Sequence, residues 1–352
     1  MVGVKADSQG SWIPTGGMIA TRFLELRNRR GLMITMIMLT IGIPTIFLTI
    51  RLLLHALAPH SYGPVGDYHT FNGVTVSVLY VFAFVVAATL GCTAGSVDLA
   101  EGMFRQLVVT GRSRLALYLA RIPAGLAIIV PMVAVSFTII CGVCVFSAPT
   151  KYVFQGVEVP LGLSEAGYEN WAAGHPDVVI CDLPFGGPCN GLTQPTTPLT
   201  KAQAVETARQ DYSSYSQTFL YPSTALMVRT GLWIELQAIV WFIVGLGLAS
   251  LMGERTLPLV LMIVFEMVVS PILFLVGIPI NLHRAGVDLA VAHLEPSALG
   301  FALPGIVGGG PGETFNSSSL PPESRIVAVL VIVAWLVGWT ILGAWRMMTR
   351  DA

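Results

Sequence analysis

Charged residues are scarce in this chain. They make up 11% of its 352 residues, whereas soluble domains carry about 25%. Hydrophobic residues make up 54%, and the formal net charge is only −1. A balance so close to neutral gives no electrostatic basis for binding nucleic acid, so no nucleic-acid partner is expected. The shortage of charge argues against an ordinary soluble enzyme and predicts a membrane protein.

Sequence signatures of catalysis are missing as well. There is no GxxxxGK[ST] phosphate loop, because the glycine run at 308–310 is not followed by lysine, and HExxH, GxSxG and zinc-type Cys/His spacings are absent. We therefore expect no catalytic residue, no metal and no cofactor in this chain. The six histidines all fall in predicted outer segments without fixed spacing, so solvated or interfacial histidines are favoured over an extracytoplasmic metal site. They are His55, His60, His69, His175, His283 and His293.

Long apolar runs are what the sequence has instead. A helix crosses the hydrocarbon core with about 20 mostly apolar residues, and six runs qualify. They are Leu32–Leu54, Gly73–Gly95, Ile122–Phe146, Leu232–Met252, Leu257–Ile280 and Ile326–Trp345. Barrel strands would be about 10 residues long and would alternate polar and apolar side chains. The pattern predicts an all-α polytopic protein with six transmembrane helices, the first of them a retained span rather than a signal peptide.

The distribution of basic residues predicts the orientation. With six spans, the segments 1–31, 96–121, 253–256 and 346–352 share one side and hold 12 Lys or Arg in 68 residues. The opposite segments, 55–72, 147–231 and 281–325, hold 6 in 148 residues. The positive-inside rule then places both termini in the cytoplasm of a protein in the plasma or inner membrane.

This layout divides the chain into six parts. They are a cytoplasmic tail with an amphipathic helix at 1–31, spans 1–3 with a cytoplasmic loop 96–121 at 32–146, an extracytoplasmic domain at 147–231, spans 4–5 at 232–280, a second extracytoplasmic segment at 281–325, and span 6 with a cytoplasmic tail at 326–352. The second outer segment is apolar enough to predict a short helix on or partly in the outer leaflet.

An amphipathic helix is predicted just before span 1. Ile19, Phe23 and Leu26 recur at i, i+4 and i+7 and form one apolar stripe. Arginine and glutamate occupy much of the remaining surface, at Arg22, Glu25, Arg29 and Arg30. Such a helix is suited to the membrane interface, where it would anchor the chain, contact a cytoplasmic partner, or do both.

The loop 96–121 carries apolar residues that a simple connection does not need. Phe104, Leu107, Val108 and Val109 lie between an acidic stretch and a basic one, at the predicted cytoplasmic surface. Exposed apolar side chains in such a place favour docking to another protein.

Two further sites are predicted from single residues. Cys181 and Cys189 flank a short Pro- and Gly-rich loop in an oxidising compartment, which favours a disulfide over two free thiols. Cys141 and Cys144 fall in an apolar helix and indicate packing. Glu266 lies near the middle of span 5, either lining a substrate path or subunit seam or serving as a protonated, hydrogen-bonded structural residue.

The arrangement resembles the ABC-2 type transporter permeases over most of the chain. The sharpest local similarity is an acidic residue, then Glu-x-Gly-x-x-Arg-x-Leu, a turn, Ser-Arg, and a basic residue entering span 3. Those positions are Asp98, Glu101, Gly102, Arg105, Leu107, Gly111, Ser113, Arg114 and Arg121. Gly111 stands where the family frequently has proline, and the 85-residue insert between spans 3 and 4 is larger than in compact members.

The resemblance implies a transport complex. Such a permease pairs with a second copy or a paralogue and with two cytoplasmic ATP-binding subunits, which hold ATP and Mg and perform the hydrolysis. The loop 96–121 would contain the coupling helix, with the N-terminal helix as second contact. The implied coupling residues are Asp98, Glu101, Phe104, Arg105, Leu107, Val108 and Arg114.

The expected function is export of a lipid, drug or peptide-like molecule from the cytoplasm or inner leaflet. Two alternatives stay open. One is a mechanical relay that drives an extracytoplasmic protein partner without transport, which the large 147–231 domain favours. The other is an ion-coupled secondary transporter with Glu266 as its proton site, against which missing repeats argue weakly.

Overall fold

The computed structural model describes most of the chain. The described residues are 12–58, 65–66, 71, 77–100, 113–147, 151–154, 157–160, 162–176, 200–219, 224–269, 287, 290 and 324–349. Their regular secondary structure is helical, as predicted, apart from one short β-hairpin in the predicted extracytoplasmic domain. The hairpin strands are antiparallel, with Lys151 opposite Pro160 and Phe154 opposite Val157.

Helices account for nearly all of the described structure. In chain order the elements are α1 (Gly16–Asn28), α2 (Arg30–Ile37), a π-helical segment π1 (Met38–Gly42), α3 (Ile43–Leu57), α4 (Ser77–Ala100), α5 (Arg114–Leu119), α6 (Arg121–Ser147), β1 (Lys151–Phe154), β2 (Val157–Pro160), α7 (Glu165–Gly174), α8 (Lys201–Phe219), α9 (Thr224–Met252), α10 (Thr256–Val264), a second π-helical segment π2 (Phe265–Val269) and α11 (Arg325–Thr349).

Five helical stretches among the described residues are long and apolar enough to cross a membrane. They are Arg30–Leu57, Val78–Asp98, Arg114–Ser147, Met227–Met252 and Arg325–Thr349. These correspond to predicted spans 1, 2, 3, 4 and 6, which makes the protein a multi-pass membrane protein. Predicted span 5 is described only as α10 and π2, and its second half lies outside the described residues.

Most of these helices extend beyond the apolar runs that predicted them. Helix α9 begins at Thr224 rather than at Leu232, and α11 ends at Thr349 rather than at Trp345. Backbone polar groups near the bilayer need internal hydrogen bonds, and a longer helix provides them. Hydropathy therefore located the spans but underestimated their lengths.

The chain divides into two compact units. The first comprises Met1–Ile46, Val76–Ile139 and Val228–Ala352, and the second comprises Phe47–Thr75 and Ile140–Met227. In the first unit α4 and α9 are central, since 72% of the most apolar stretch of each is buried. Helix α11 lies at its periphery, with 17% buried.

Helices α4 and α9 run parallel and in close contact. Tyr80 stacks on Trp233 near one end, and the hydroxyl of Ser250 reaches the carbonyl of Gly95 near the other. Between these points a Cβ atom on Gly91 would overlap the carbonyl oxygen of Phe242. Glycine at this position permits backbone approach, as small residues do between membrane helices.

The π-helical segment π1 interrupts the first span. The hydroxyl of Ser136 on α6 donates a 2.6 Å hydrogen bond to the carbonyl oxygen of Thr40 within it. A π turn displaces backbone groups from the regular α-helical pattern, so a neighbouring side chain can reach them. This buried bond attaches the first span to the third.

The second unit contains the β-hairpin and a helical pair. Helices α7 and α8 pack against each other, and Ala172 on α7 and Ala204 and Ala208 on α8 are fully buried. The ring of Tyr168 is also fully buried, and the hydroxyl of Tyr212 donates to the carbonyl of Leu163. These residues belong to the insert that the sequence predicted to be an ordered extramembrane domain.

Candidate functional site

A buried ion cluster joins three helices of the first unit. Asp98, in the last turn of α4, has no exposed surface. Arg22 on α1 donates two hydrogen bonds to it, from Nη1 to Oδ1 and from Nη2 to Oδ2, both 2.7 Å long. Arg121, the first residue of α6, donates from Nη2 to the same Oδ2 atom. One carboxylate therefore holds the N-terminal helix, the second span and the third span together.

The cluster is neutral overall. Glu25, one turn along α1, accepts a 2.6 Å hydrogen bond from Nη1 of Arg22 and supplies a second negative charge. Buried charges cost several kcal/mol each unless they are paired and hydrogen-bonded. Two arginines matched by two carboxylates meet that condition.

Arg22 lies outside the membrane-spanning helices. Burial alone would lower the pKa of its guanidinium, but the charges and hydrogen bonds of Asp98 and Glu25 outweigh burial and raise the pKa above its ordinary value. Arg22 is therefore a permanent cation, and proton loss does not release α1 from α4.

A backbone carbonyl extends the cluster to a fourth helix. The carbonyl oxygen of Gly95 accepts hydrogen bonds from Nη1 of Arg121 and from the hydroxyl of Ser250 on α9. The C-terminal turn of a helix carries partial negative charge, so an arginine at this end of α4 is favourable.

A second anchor lies on the other side of residues 101–112. Ser113 caps α5, its hydroxyl accepting a hydrogen bond from the amide of Ala116. Arg114 donates through Nη1 to the carbonyl oxygen of Met348 at the end of α11. Close by, the hydroxyl of Tyr118 occupies space that only a glycine at position 343 leaves open. The ends of the predicted coupling segment are thus fixed, one to α1 and α6 and the other to α11.

The structure describes some of the predicted coupling residues and not others. Asp98 and Arg114 are the two anchors. Glu101, Phe104, Arg105, Leu107 and Val108 lie outside the described residues, as do Cys181 and Cys189. The docking and disulfide predictions on them stay predictions.

The predicted interfacial helix exists as α1 and is separated from α2 by a break at Arg29. Leu26 is buried, Phe23 and Glu25 are half-buried, and Arg30 is exposed. Arg22 was predicted to lie among the polar residues outside the apolar stripe, yet it is only 9% exposed. The side of α1 that contains Arg22 and Leu26 therefore packs on protein.

Glu266 is placed in π2 beside α4. Its Oε1 accepts a 3.1 Å hydrogen bond from the hydroxyl of Tyr80, whose ring stacks on Trp233 at a centroid distance of 5.4 Å. This polar contact connects the second, fourth and fifth predicted spans. Both readings of Glu266 stay open, because a hydrogen-bonded carboxyl suits a structural role and a substrate path alike.

Sequence reasoning missed the role of two arginines. Arg22 was read as part of a polar helix surface and Arg121 as a basic residue entering span 3, and neither was assigned to a site. The available signal was a single aspartate at the end of an apolar run. Such an aspartate requires a cationic partner when it is buried. Which cation it finds is a question of tertiary packing.

No metal centre is found in the described part of the chain, where no group of three or more His, Cys, Asp or Glu side chains comes together. Comparison with known proteins adds no assignment, since no family model, curated protein or solved structure matches this chain. The resemblance to ABC-2 permeases therefore stays a prediction.

Proposed function

We propose that this chain is the membrane-spanning subunit of an exporter powered by a separate cytoplasmic ATPase. The observation that carries the proposal is the anchoring of the residues on either side of the segment 101–112. Asp98 ties its beginning to α1 and α6, and Arg114 ties its end to α11. A protein docked on this segment could push directly on four helices through the two anchors.

The placement of the anchors supports a shared docking side. Helix α1, the ends of α4 and α11, and the beginning of α5 all lie at the same end of the first unit. The basic residues that predict a cytoplasmic side belong to these same segments. The two predicted contacts for an ATPase, α1 and the loop 96–121, are therefore neighbours.

The positions of the helix ends favour an even number of membrane crossings, and hence six spans. Helix α10 begins at that same end, just after α9, and α11 ends there through the contact of Met348 with Arg114. Because α11 is long enough to cross the membrane, it begins at the opposite end. An odd number of crossings between Thr256 and Arg325, as a fifth span would provide, agrees with this placement.

The proposed complex follows the ABC-2 type of organisation. Two ATPase subunits bind ATP and Mg, a second permease copy or a paralogue completes the path, and the substrate is a lipid, drug or peptide-like molecule. This chain performs no hydrolysis. The mechanical relay is kept as a second candidate because the insert contains a built helical pair, α7 and α8, with an ion pair between Arg209 and Glu169.

Co-purification tests the proposal. The full chain, tagged and extracted from its own membranes, should bring down a nucleotide-binding subunit together with vanadate-sensitive ATPase activity. Phe104→Asp and Leu107→Asp should abolish both while leaving membrane insertion intact, because a carboxylate replaces a docking side chain. Gln106→Asp is the matched control, since it adds the same charge to the same segment without removing an apolar group.

Normal co-purification of the ATPase with both Phe104→Asp and Leu107→Asp would refute the docking assignment. Deleting residues 160–220 separates export from relay, because an exporter should keep part of its transport whereas a relay should lose its output.

A further inference from the structure

Helix α9 carries a stripe of buried polar side chains. Thr230, Gln237 and Trp241 follow one another at i, i+7 and i+11, which places them within about 40° of one another around the helix. Their exposed fractions are 1%, 3% and 2%. Over about 16 Å of helix, hydrogen-bonding groups therefore point into the interior of the first unit rather than toward lipid.

These groups have no hydrogen-bond partner among the residues that the structure describes. The atoms concerned are Oγ1 of Thr230, both amide atoms of Gln237 and Nε1 of Trp241. Other threonines in the spans, such as Thr89 and Thr93, donate to a carbonyl one turn earlier in their own helix. Buried polar groups without partners are costly, so three on one stripe require a partner other than the described residues.

The stripe borders the seam between α4 and α9. Trp241 meets Phe84 edge to face at a centroid distance of 4.9 Å, and Trp233 stacks on Tyr80 beside it. At the end of the seam nearer Asp98, the backbones of α4 and α9 are in contact at Gly91 and the residues after it. At one end of the seam the two backbones are in contact, and over the rest of it aromatic rings make the contact, with the polar stripe beside them.

The chemistry of the stripe defines what it would bind. The hydroxyl and the amide can each donate and accept hydrogen bonds, the indole N–H donates, and none of the three carries a charge. Glu235, whose carboxyl oxygens are also buried without a partner among the described residues, is turned about 140° around α9 from Thr230 and lies outside the stripe. Glu266 accepts a hydrogen bond from Tyr80 at the edge of the seam. Flat aromatic rings beside neutral polar groups suit an elongated, uncharged molecule with hydrogen-bonding groups spaced along an apolar chain.

We propose that the α4–α9 seam is a binding path for such a neutral amphipathic substrate, with Thr230, Gln237 and Trp241 as its polar contacts. The inference rests on the proposed transport function and specifies its substrate class. In the predicted orientation the path extends from mid-bilayer toward the outer side, and the glycine contacts close it toward the cytoplasm.

Photo-crosslinking of the full-length chain in phosphatidylcholine nanodiscs tests this path. Three diazirine probes share one hexadecyl chain and differ in their head group, which is an acetamide, a trimethylammonium or a sulfate. The acetamide probe should label peptides of α4 and α9, and the two charged probes should not. Gln237→Leu should reduce this labelling about fivefold, the usual value of one hydrogen bond.

Stability measurements separate binding from structure. Gln237→Leu removes an unpaired buried amide, so its apparent Tm should equal or exceed that of the wild type while labelling falls. Thr230→Val and Trp241→Phe should behave likewise. The matched controls are Thr138→Val and Trp345→Phe, at exposed positions on α6 and α11, which should change neither quantity.

Three results would overturn the inference. They are unchanged acetamide labelling in Gln237→Leu, equal labelling of the seam by a charged probe, and a lower Tm in the stripe variants, which would show that these groups have structural partners. If Gln237→Leu fails to fold, the labelling and Tm of Thr230→Val and Trp241→Phe test the inference in its place. Labelling needs no ATPase, so the two proposals can fail separately. If the chain binds the acetamide probe but captures no ATPase, the binding path stands and the transport proposal is refuted.

Discussion

Arg22 and Asp98 are 76 residues apart in the chain and meet through two parallel hydrogen bonds of 2.7 Å. The pairing uses both oxygens of the carboxylate and both terminal nitrogens of the guanidinium, a geometry that lysine cannot reproduce. It fixes the amphipathic helix α1 to the end of α4, where the predicted docking segment begins. Arg121 shares the same carboxylate and extends the connection to α6.

Asp98→Asn should be the most damaging single change in this cluster. It leaves two buried arginines facing a neutral amide, and breaking a buried ion pair from one side costs roughly 3–5 kcal/mol. Arg22→Gln should cost less, because Arg121 still neutralises Asp98. The difference in stability between the two variants is measured by heating the purified chain in detergent and recording the fraction that remains monodisperse at each temperature.

The control for the cluster is Arg209→Gln on α8. Arg209 is mostly exposed and forms surface ion pairs with Glu169 and Glu206. Exposed pairs contribute little, so its unfolding temperature should match that of the wild type. An Asp98→Asn protein as stable as this control would show that the buried cluster does not hold the helices together.

Gly91→Ala should separate α4 from α9. A Cβ atom at this position would overlap the backbone of Phe242, and overpacking in a close-packed interior costs about 1–3 kcal/mol. Gly338→Ala on α11 is the matched control, because a Cβ there meets no atom within 4 Å. It should be neutral or slightly stabilising, since alanine favours the helix. Equal melting temperatures for the two variants would contradict the close approach of α4 and α9.

Glu266→Gln distinguishes the two roles of the intramembrane glutamate. Glutamine keeps a carbonyl acceptor for the hydroxyl of Tyr80, so assembly should be unchanged, whereas a role in the substrate path predicts lower transport. Tyr80→Phe removes the donor, keeps the stacking on Trp233, and should cost about 1 kcal/mol of stability. Transport by the reconstituted complex measures the first effect, thermal unfolding of the purified chain measures the second, and size-exclusion profiles report assembly. Wild-type transport by Glu266→Gln would assign the residue to structure.

Cysteine accessibility tests the topology. With the five native cysteines replaced, Ser113→Cys and Thr349→Cys should react with a membrane-impermeant maleimide from the cytoplasmic side, because Arg114 and Met348 are in contact. Ser324→Cys, at the beginning of α11, should react only from outside. Labelling of Ser113→Cys from the outside alone would remove both the orientation and the proposed docking side.

The spans were largely predictable from the sequence because hydropathy is local. A run such as Ile326–Trp345 needs no knowledge of its neighbours to be assigned to a bilayer. The β-hairpin at Lys151–Pro160 was missed, because four-residue strands are too short to show a period against a background of turn residues. The candidate site was half predictable, since the resemblance to ABC-2 permeases singled out Asp98 and Arg114, which the structure shows as the two anchors.

The amino-acid sequence by itself determined a membrane protein with several helical spans, because apolar composition and run length act on each segment separately. Only the tertiary structure decided that Asp98 pairs with Arg22 and Arg121, that Gly91 lies against Phe242, and that Gln237 faces the protein interior. Each of these depends on the rotation of one helix against another, and that rotation is set by packing among residues far apart in the chain.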